Sequence, residues 1–307
     1  MGRRSRGICG SVKLRFRRHR HNEVTATNPT YTSNLDLNNI PTSALGFNYT
    51  FGVVDTQIRK FISDFRHSSN AAAVTADVVA HSMGGDVVRT MALEPWFASN
   101  DTYGHGPIDK LITIGTPHLG SPLAVDLLQD ANQCVREQLS KDGHPSFLTV
   151  TTSAGPINGA VGDLQGDGFG GSLSAALQQL FDAGPLPFPM ARVSAITSPS
   201  NLSGLDCSPP NCLAWRLRNY CAPDPLATSL TSTGWISVFG QYNDAVVPIL
   251  SQLNGGTAQP NTLTGVIHSP GLETLDFSPP TELDGDGPVP ATVLNLLNEP
   301  PNGSDFQ

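Results

Sequence analysis

Nowhere does the sequence run continuously apolar for about 18 residues, and the uncharged stretch around Gly143 to Gly162 is broken by Pro, Ser, Thr and Gly. A membrane-spanning helix is therefore excluded, and no transmembrane segment is expected. Charged residues make up 14% and aromatics 7% of the chain. No phosphate-binding loop, dinucleotide fingerprint or metalloprotease helix occurs, so no redox, nucleotide or metal cofactor is implied. What is present is 38% hydrophobic residues over 307 positions, with 30 Gly and 25 Pro. That composition excludes collagen, coiled coil and wholesale disorder, and predicts one large core with plentiful loops.

The net charge of −8 hides a division. The first 20 residues hold eight Lys or Arg and no acid, whereas residues 21–307 hold ten bases against 26 acids, so the body alone carries −16. Nucleic-acid binding relies on Lys and Arg neutralising phosphate, so the globular part is not expected to bind it. The basic head lacks the apolar run of about 7–15 residues of a signal peptide and any apolar helical face. It reads as a mis-set or frame-shifted start in preference to a tail for an anionic surface.

Cys207, Cys212 and Cys221 follow a C-x4-C-x8-C spacing interrupted by Pro209 and Pro210. This lacks the paired chelate loops and nearby His of a zinc site, and a disulfide within the loop is the expectation. Sparse Lys with abundant Asn, Thr and Ser favours a location outside the cytoplasm, an extracellular or cell-surface one.

Residues 42–120 read as strand, helix, strand, helix, strand, the order that builds a parallel sheet with crossover helices. Leu45 to Phe51 is taken as a short strand. Val54, Ile58, Phe61, Ile62 and Phe65 then recur at helical spacing. Val74 to Ala80 and Lys110 to Ile114 are β-branched runs suited to strands buried on both faces, with a helix from Met83 to Leu93 between them. After a helix at Pro122 to Gln129 the rhythm is lost until Leu173 to Phe181. Strands are expected again at Arg192 to Thr197 and Trp235 to Phe239, then a final helix at Ala291 to Leu297 and a frayed terminus.

The strongest chemical signal is Asp77-Val-Val-Ala-His-Ser82-Met-Gly-Gly85. A buried strand enters a small-residue turn and then a helix, which sets Ser82 on a sharp turn as a nucleophile, with Ala80, Gly84 and Gly85 allowing close approach. The helix start offers the Met83 N–H to an oxyanion. This stretch resembles the nucleophile elbow of α/β-hydrolase lipases, including the form with Ala for the first Gly found in small Bacillus lipases. Ile112-Thr-Ile-Gly-Thr-Pro-His-Leu-Gly-Ser121 resembles the strand and loop after the elbow helix in bacterial triacylglycerol lipases and GPI inositol deacylase-like hydrolases. The resemblance implies an α/β-hydrolase fold: a mostly parallel sheet flanked by helices, here with an inserted cap or lid and with N-terminal strands missing or atypical. Residues 1–40 are then a disordered basic head and 41–307 the hydrolase domain, with the insertion at about 121–190 and the Cys-containing loop at about 201–228.

Such a hydrolase supplies its acid and then its histidine downstream of the serine. Asp244, in the turn Gln-Tyr-Asn-Asp-Ala-Val-Val-Pro248, resembles the family's acid, and His268, in Val266-Ile-His-Ser-Pro270, its histidine. The Asp would fix the imidazole tautomer, and His268 would act as general base. The alternatives weighed are a turn-forming role for Asp244 and a surface role for His268. His118 is a competing base but fits better as a pocket wall, and His81 adjoins Ser82 without readily facing it.

The family's second oxyanion N–H, from a loop often marked His-Gly after an earlier strand, has no counterpart before Ser82. Asp163 to Gly170 and Asp284 to Gly287 hint at calcium loops but lack the full ligand ladder, and read as solvated turns. Leu173, Leu177, Leu180 and Phe181 recur at helical spacing as a lid and acyl-binding wall, or equally as core. The expected function is hydrolysis of carboxylic esters of lipid or acyl type by a serine esterase with transient contact to a lipid interface. The alternatives are an acyltransferase or amidase of the same fold, a truncated fragment, or an impaired hydrolase-like binding module.

Overall fold

The computed structural model describes residues 12–15, 24–25, 45–99, 102–141, 150–152, 155–157, 159–197, 213–232, 238–240, 242–256, 261–268 and 280–306. Its strands are β1 (Val12–Arg15), β2 (Val24–Thr25), β3 (Ala76–His81), β4 (Ile108–Ile114), β5 (Val150–Thr152), β6 (Gly155–Ile157), β7 (Met190–Ile196) and β8 (Thr262–Thr264). Six form one sheet in the order β2-β1-β3-β4-β7-β8, and β5 and β6 form a separate hairpin. β3, β4, β7 and β8 are mutually parallel, whereas β1 runs antiparallel to both β2 and β3.

Among the described residues the helices are α1 (Phe47–Ser69), α2 (Met83–Ala92), α3 (Pro122–Leu128), α4 (Gln133–Lys141), α5 (Gly159–Asp163), α6 (Ala175–Asp182), α7 (Leu213–Tyr220), α8 (Pro225–Ser232), α9 (Ile249–Gln252) and α10 (Pro288–Asn298). None is long and apolar enough to cross a membrane. Alternation along the strands sorts the core into two faces. Val78, Ala80, Leu111 and Met190 meet Val54, Ile58, Ile62, Val87, Met91, Leu177 and Leu180 from α1, α2 and α6. Val79, Ile112, Ile114 and Val193 meet Val289, Leu296 and Leu297 of α10 on the other side. Helices on both faces explain why β3 is buried along its whole length. The mostly parallel sheet flanked by helices is the architecture the sequence implied.

Several expectations are corrected. Leu45 to Phe51 is no strand: α1 starts at Phe47, because Phe47, Thr50, Val54, Ile58 and Ile62 form one buried helical stripe. A cap from far along the chain fixes that start, as Asp163 Oδ2 accepts the Phe47 N–H at 2.7 Å. The head, expected to be disordered, contributes β1 and β2 to the sheet. In the expected strand Trp235 to Phe239, Val238 and Phe239 are helical and the rest lies outside the described residues. The 121–190 segment holds α4, α5 and the β5–β6 hairpin besides the expected helices. Its supposed lid wall is largely core, since Leu177 and Leu180 are buried and Leu173 packs against them, while Phe181 is exposed.

The disulfide expected within Cys207, Cys212 and Cys221 is corrected too. Cys221 bonds Cys134, 87 residues away, with Cα atoms 5.4 Å apart, tying α4 to the end of α7. Cys207 and Cys212 lie outside the described residues. The terminus is not frayed through residue 306, since Phe306 is buried in the core cluster under α10.

Candidate active site

β3 carries its buried run into Ser82, whose φ of 56° and ψ of −137° lie in a region that costs a non-glycine residue about 1–3 kcal/mol. Two hydrogen bonds and the start of a helix hold it there. The Ser82 N–H donates to the Ile114 carbonyl at 2.9 Å, the Thr116 hydroxyl donates to the Ser82 carbonyl at 2.9 Å, and α2 starts at the next residue. Gly85 lets α2 approach β4: a Cβ there would strike Thr116 Oγ1 and lie 2.9 Å from Thr113 Cγ2. As the first residue of α2, Met83 presents an N–H without an intrahelical acceptor beside the Ser82 side chain.

Asp244 is completely buried in a turn made by its own neighbours. The Ala245 N–H donates to Asn243 Oδ1 at 2.8 Å, and Asp244 Oδ1 accepts the N–H groups of Val246 at 2.8 Å and Val247 at 2.6 Å. Its other oxygen, Oδ2, faces His268 Nδ1 at 2.9 Å. His268 Nε2 in turn lies 2.8 Å from Ser82 Oγ. The structure thus brings Ser82, His268 and Asp244 into one hydrogen-bonded line, with the histidine and acid buried and the serine partly exposed.

Two further groups join this line: Glu282, unforeseen in the sequence, and His81, which as expected does not face Ser82 but turns to Glu282 and the His268 carbonyl. Glu282 Oε2 lies 3.2 Å from His268 Nδ1 and 2.9 Å from His81 Nε2. The segment around Glu282 reaches the site because Ile267 pairs with Thr281 in a parallel bridge. Asp284 steadies that turn by accepting the Thr281 N–H at 2.7 Å and its hydroxyl at 2.9 Å. The sequence carries no local signal for Glu282, since one glutamate in a Pro-rich turn fits many roles.

Burial pushes the Asp244 carboxyl up to about 6, against the pull of His268. Burial acts likewise on Glu282, but the His268 charge and the hydrogen bonds from His268 and His81 outweigh it and hold that carboxyl at about 2. For His268 the burial penalty is outweighed by Asp244 and Glu282, which raise it well above its ordinary range. His81 is lowered, mainly by burial and further by the His268 charge.

The competing base, His118, is buried behind α2, where Arg89 donates to its Nδ1 at 2.9 Å and its Nε2 lies 3.3 Å from the Thr113 hydroxyl. Burial lowers its pKa to about 4. It is a strut between α2 and β4 and not part of the Ser82 line. The acidic loops are likewise internally occupied. Asp163 caps α1, and Asp167 Oδ1 accepts the N–H groups of Phe169, Gly170 and Gly171.

Ligating atoms of His81, His268 and Glu282 lie within 4.8 Å of one another, and Glu282 Oε2 is within hydrogen-bond distance of both imidazoles. Cys134 and Cys221, close to Asp224, have their sulfurs in the disulfide.

On the side of β3 where an earlier strand should deliver a second oxyanion donor, the neighbour is β1. Its register pairs Val12 with Ala80 and Arg15 with Asp77, so its carboxyl end points away from Ser82. At about 3.3 Å per residue that end lies roughly 16 Å from the Ser82 turn.

No curated protein and no solved structure matches the chain. Residues 48–163 do match a protein family, the PGAP1-like alpha/beta domain. This segment spans α1, the elbow strand, Ser82 and α5. That stretch is similar to the PGAP1-like alpha/beta domain, and the mostly parallel sheet flanked by helices fits an α/β-hydrolase-like architecture.

Proposed function

We propose that the protein is a serine hydrolase that cleaves carboxylic esters, of lipid or acyl type, through an acyl-enzyme. The reading is carried by one observation, the line from Ser82 Oγ through His268 to Asp244 at 2.8 and 2.9 Å. His268 Nε2 takes the Ser82 hydroxyl proton as Oγ attacks the ester carbonyl carbon, and Met83 N–H meets the oxyanion. Asp244, fixed by two backbone N–H groups, holds the Nδ1–H tautomer and stabilises the imidazolium. Collapse of the tetrahedral adduct returns the proton to the leaving alcohol and leaves the acyl group on Oγ. Water, deprotonated by the same His268, then releases the acid and regenerates Ser82. Ser82 is partly exposed while its partners are buried, which suits a nucleophile that must reach substrate.

The test is hydrolysis of short- and long-chain p-nitrophenyl esters by the chain and by Ser82→Ala. Expected is turnover that falls at least a thousandfold in the variant. Equal turnover in both sinks the assignment. A second reading, an impaired hydrolase-like binding module, is favoured by the antiparallel β1, because losing one oxyanion donor costs about 10²- to 10³-fold in rate. Fluorophosphonate labelling separates the two: stoichiometric labelling that is lost in Ser82→Ala marks a competent nucleophile, and its absence marks a binding module.

A further inference from the structure

Among the described residues, His268 Nδ1 faces two buried carboxylates, Asp244 Oδ2 at 2.9 Å and Glu282 Oε2 at 3.2 Å. We propose that Glu282, clamped by His81, is a second positioning carboxylate for His268, sharing the Nδ1–H with Asp244 and supporting the imidazolium when Asp244 is lost. This rests on the reading of His268 as the general base.

Three features make Glu282 a built partner. First, its acceptor oxygen is met by two imidazoles from separate elements, His268 after β8 and His81 at the end of β3. His81 Nε2 lies 2.9 Å from Glu282 Oε2 and 3.0 Å from the His268 carbonyl, both acceptors. Nε2 therefore carries the proton. His81 Nδ1 is buried with no hydrogen-bond partner, which fits the neutral Nε2–H tautomer. A neutral imidazole donating to Glu282 favours the ionised carboxylate without adding a competing cation. Second, the backbone is registered for this contact, since the Glu282 N–H donates to the Ile267 carbonyl at 2.9 Å, next to His268. Third, room is made for the carboxylate. Gly115 has a φ of 55°, and a Cβ at that position would fall on Glu282 Oε2.

The groups that face Glu282 are His268, His81 and, across His268, Asp244. Asp284 is turned away onto Thr281. In the acylation step the Ser82 proton moves to Nε2, and the Nδ1–H stays on the ring between the two carboxylates, neither of which gains a proton. Two anions beside one imidazole make it more basic than one would. Removing Glu282 should therefore lower the pH at which His268 becomes a free base.

The test uses the full chain, comparing wild type, Glu282→Gln, Asp244→Asn and the double variant. One readout is the pH profile of kcat/KM on p-nitrophenyl butyrate, and the other is the NMR titration of the His268 imidazole. In Glu282→Gln, both the acid limb and the His268 titration should move down by about one pH unit or more. Asp244→Asn should keep at least tenfold more activity than the double variant. An acid limb and titration left in place by Glu282→Gln overturn the proposal, as does a double variant no worse than Asp244→Asn. If Glu282→Gln does not fold, Asp244→Asn decides alone. There the His268 titration should stay above that of free histidine, and a value at or below it overturns the role of Glu282. Should wild type hydrolyse no ester at all, the hydrolase reading falls, while the titration still judges the pairing.

Discussion

The main-chain N–H of His268 donates to the main-chain carbonyl of Asp244 at 2.9 Å. The two loops are thus joined by backbone as well as by side chains, so the Nδ1 to Oδ2 contact is positioned by a bond that no side-chain substitution removes. The Asp244 loop is itself anchored, since the Thr197 N–H beyond β7 donates to the Asn243 carbonyl at 2.8 Å. Such support keeps the Asp244 and His268 rotamers from wandering.

Replacing Gly85 by Val tests the elbow. The new Cβ must displace Thr116, whose hydroxyl holds the Ser82 carbonyl, and press on Thr113 of β4. Overpacking of this kind costs about 1–3 kcal/mol. Denaturant unfolding should show that loss, and ester hydrolysis should fall at least tenfold. A variant with unaltered stability and turnover would disprove the packing argument.

Removing the Cys134–Cys221 bond by Ser at both positions should destabilise the fold strongly. With the bonded residues 87 apart, loop-closure entropy predicts about 4–5 kcal/mol as an upper figure. Activity should fall as well, because Cys221 shares a core cluster with Leu217, Phe239 and Ala245, the last being the neighbour of Asp244. Thermal unfolding of wild type with and without reductant, beside the double variant, checks both effects. A melting temperature indifferent to reductant would refute the prediction.

Asp163 ties stability to pH. Burial pushes its carboxyl up to about 6 from 3.8, opposed by the Phe47 N–H. A raised acid contributes stability that is full below its unfolded value and is lost as pH climbs through about 6. Asp163→Asn keeps an acceptor for Phe47 and loses that titration. The variant should match wild type near pH 4 and exceed it at pH 7 by about 1–2 kcal/mol, a figure discounted for partial exposure. Parallel stability curves for the two proteins over that range would count against it.

The β3–Ser82–α2 unit was legible because its signals are adjacent: a fully buried strand, a strained turn and a helix with Gly at the contact. Asp244 and His268 were legible through chain order and the turns around them. Glu282 was not, because it meets His268 only through the parallel bridge of Ile267 with Thr281. The start of α1 is hidden from the sequence for a similar reason. Its cap, Asp163, lies 116 residues from Phe47, and without that cap the run Leu45 to Phe51 is as compatible with a strand as with a helix. The partner of Cys221 was hidden by the same distance in sequence, since short-range spacing favoured Cys207 and Cys212. What escaped the sequence reading was mostly decided by contacts between distant segments, where local pattern carries little information.

Lys110, wholly buried on β4, donates from Nζ to the carbonyls of Leu296, Leu297 and Glu299 at 2.8, 3.0 and 2.6 Å, at the end of α10. During synthesis this cation emerges almost 200 residues before the carbonyls that receive it. Asp77 of the neighbouring β3 lies 3.8 Å from the same Nζ, so the ammonium links a carboxylate of the sheet to the carbonyls that end α10. The far end of the described chain is in this respect pinned to the centre of the sheet by one buried cation, which donates to three carbonyls at the end of the last helix, where intrahelical partners run out.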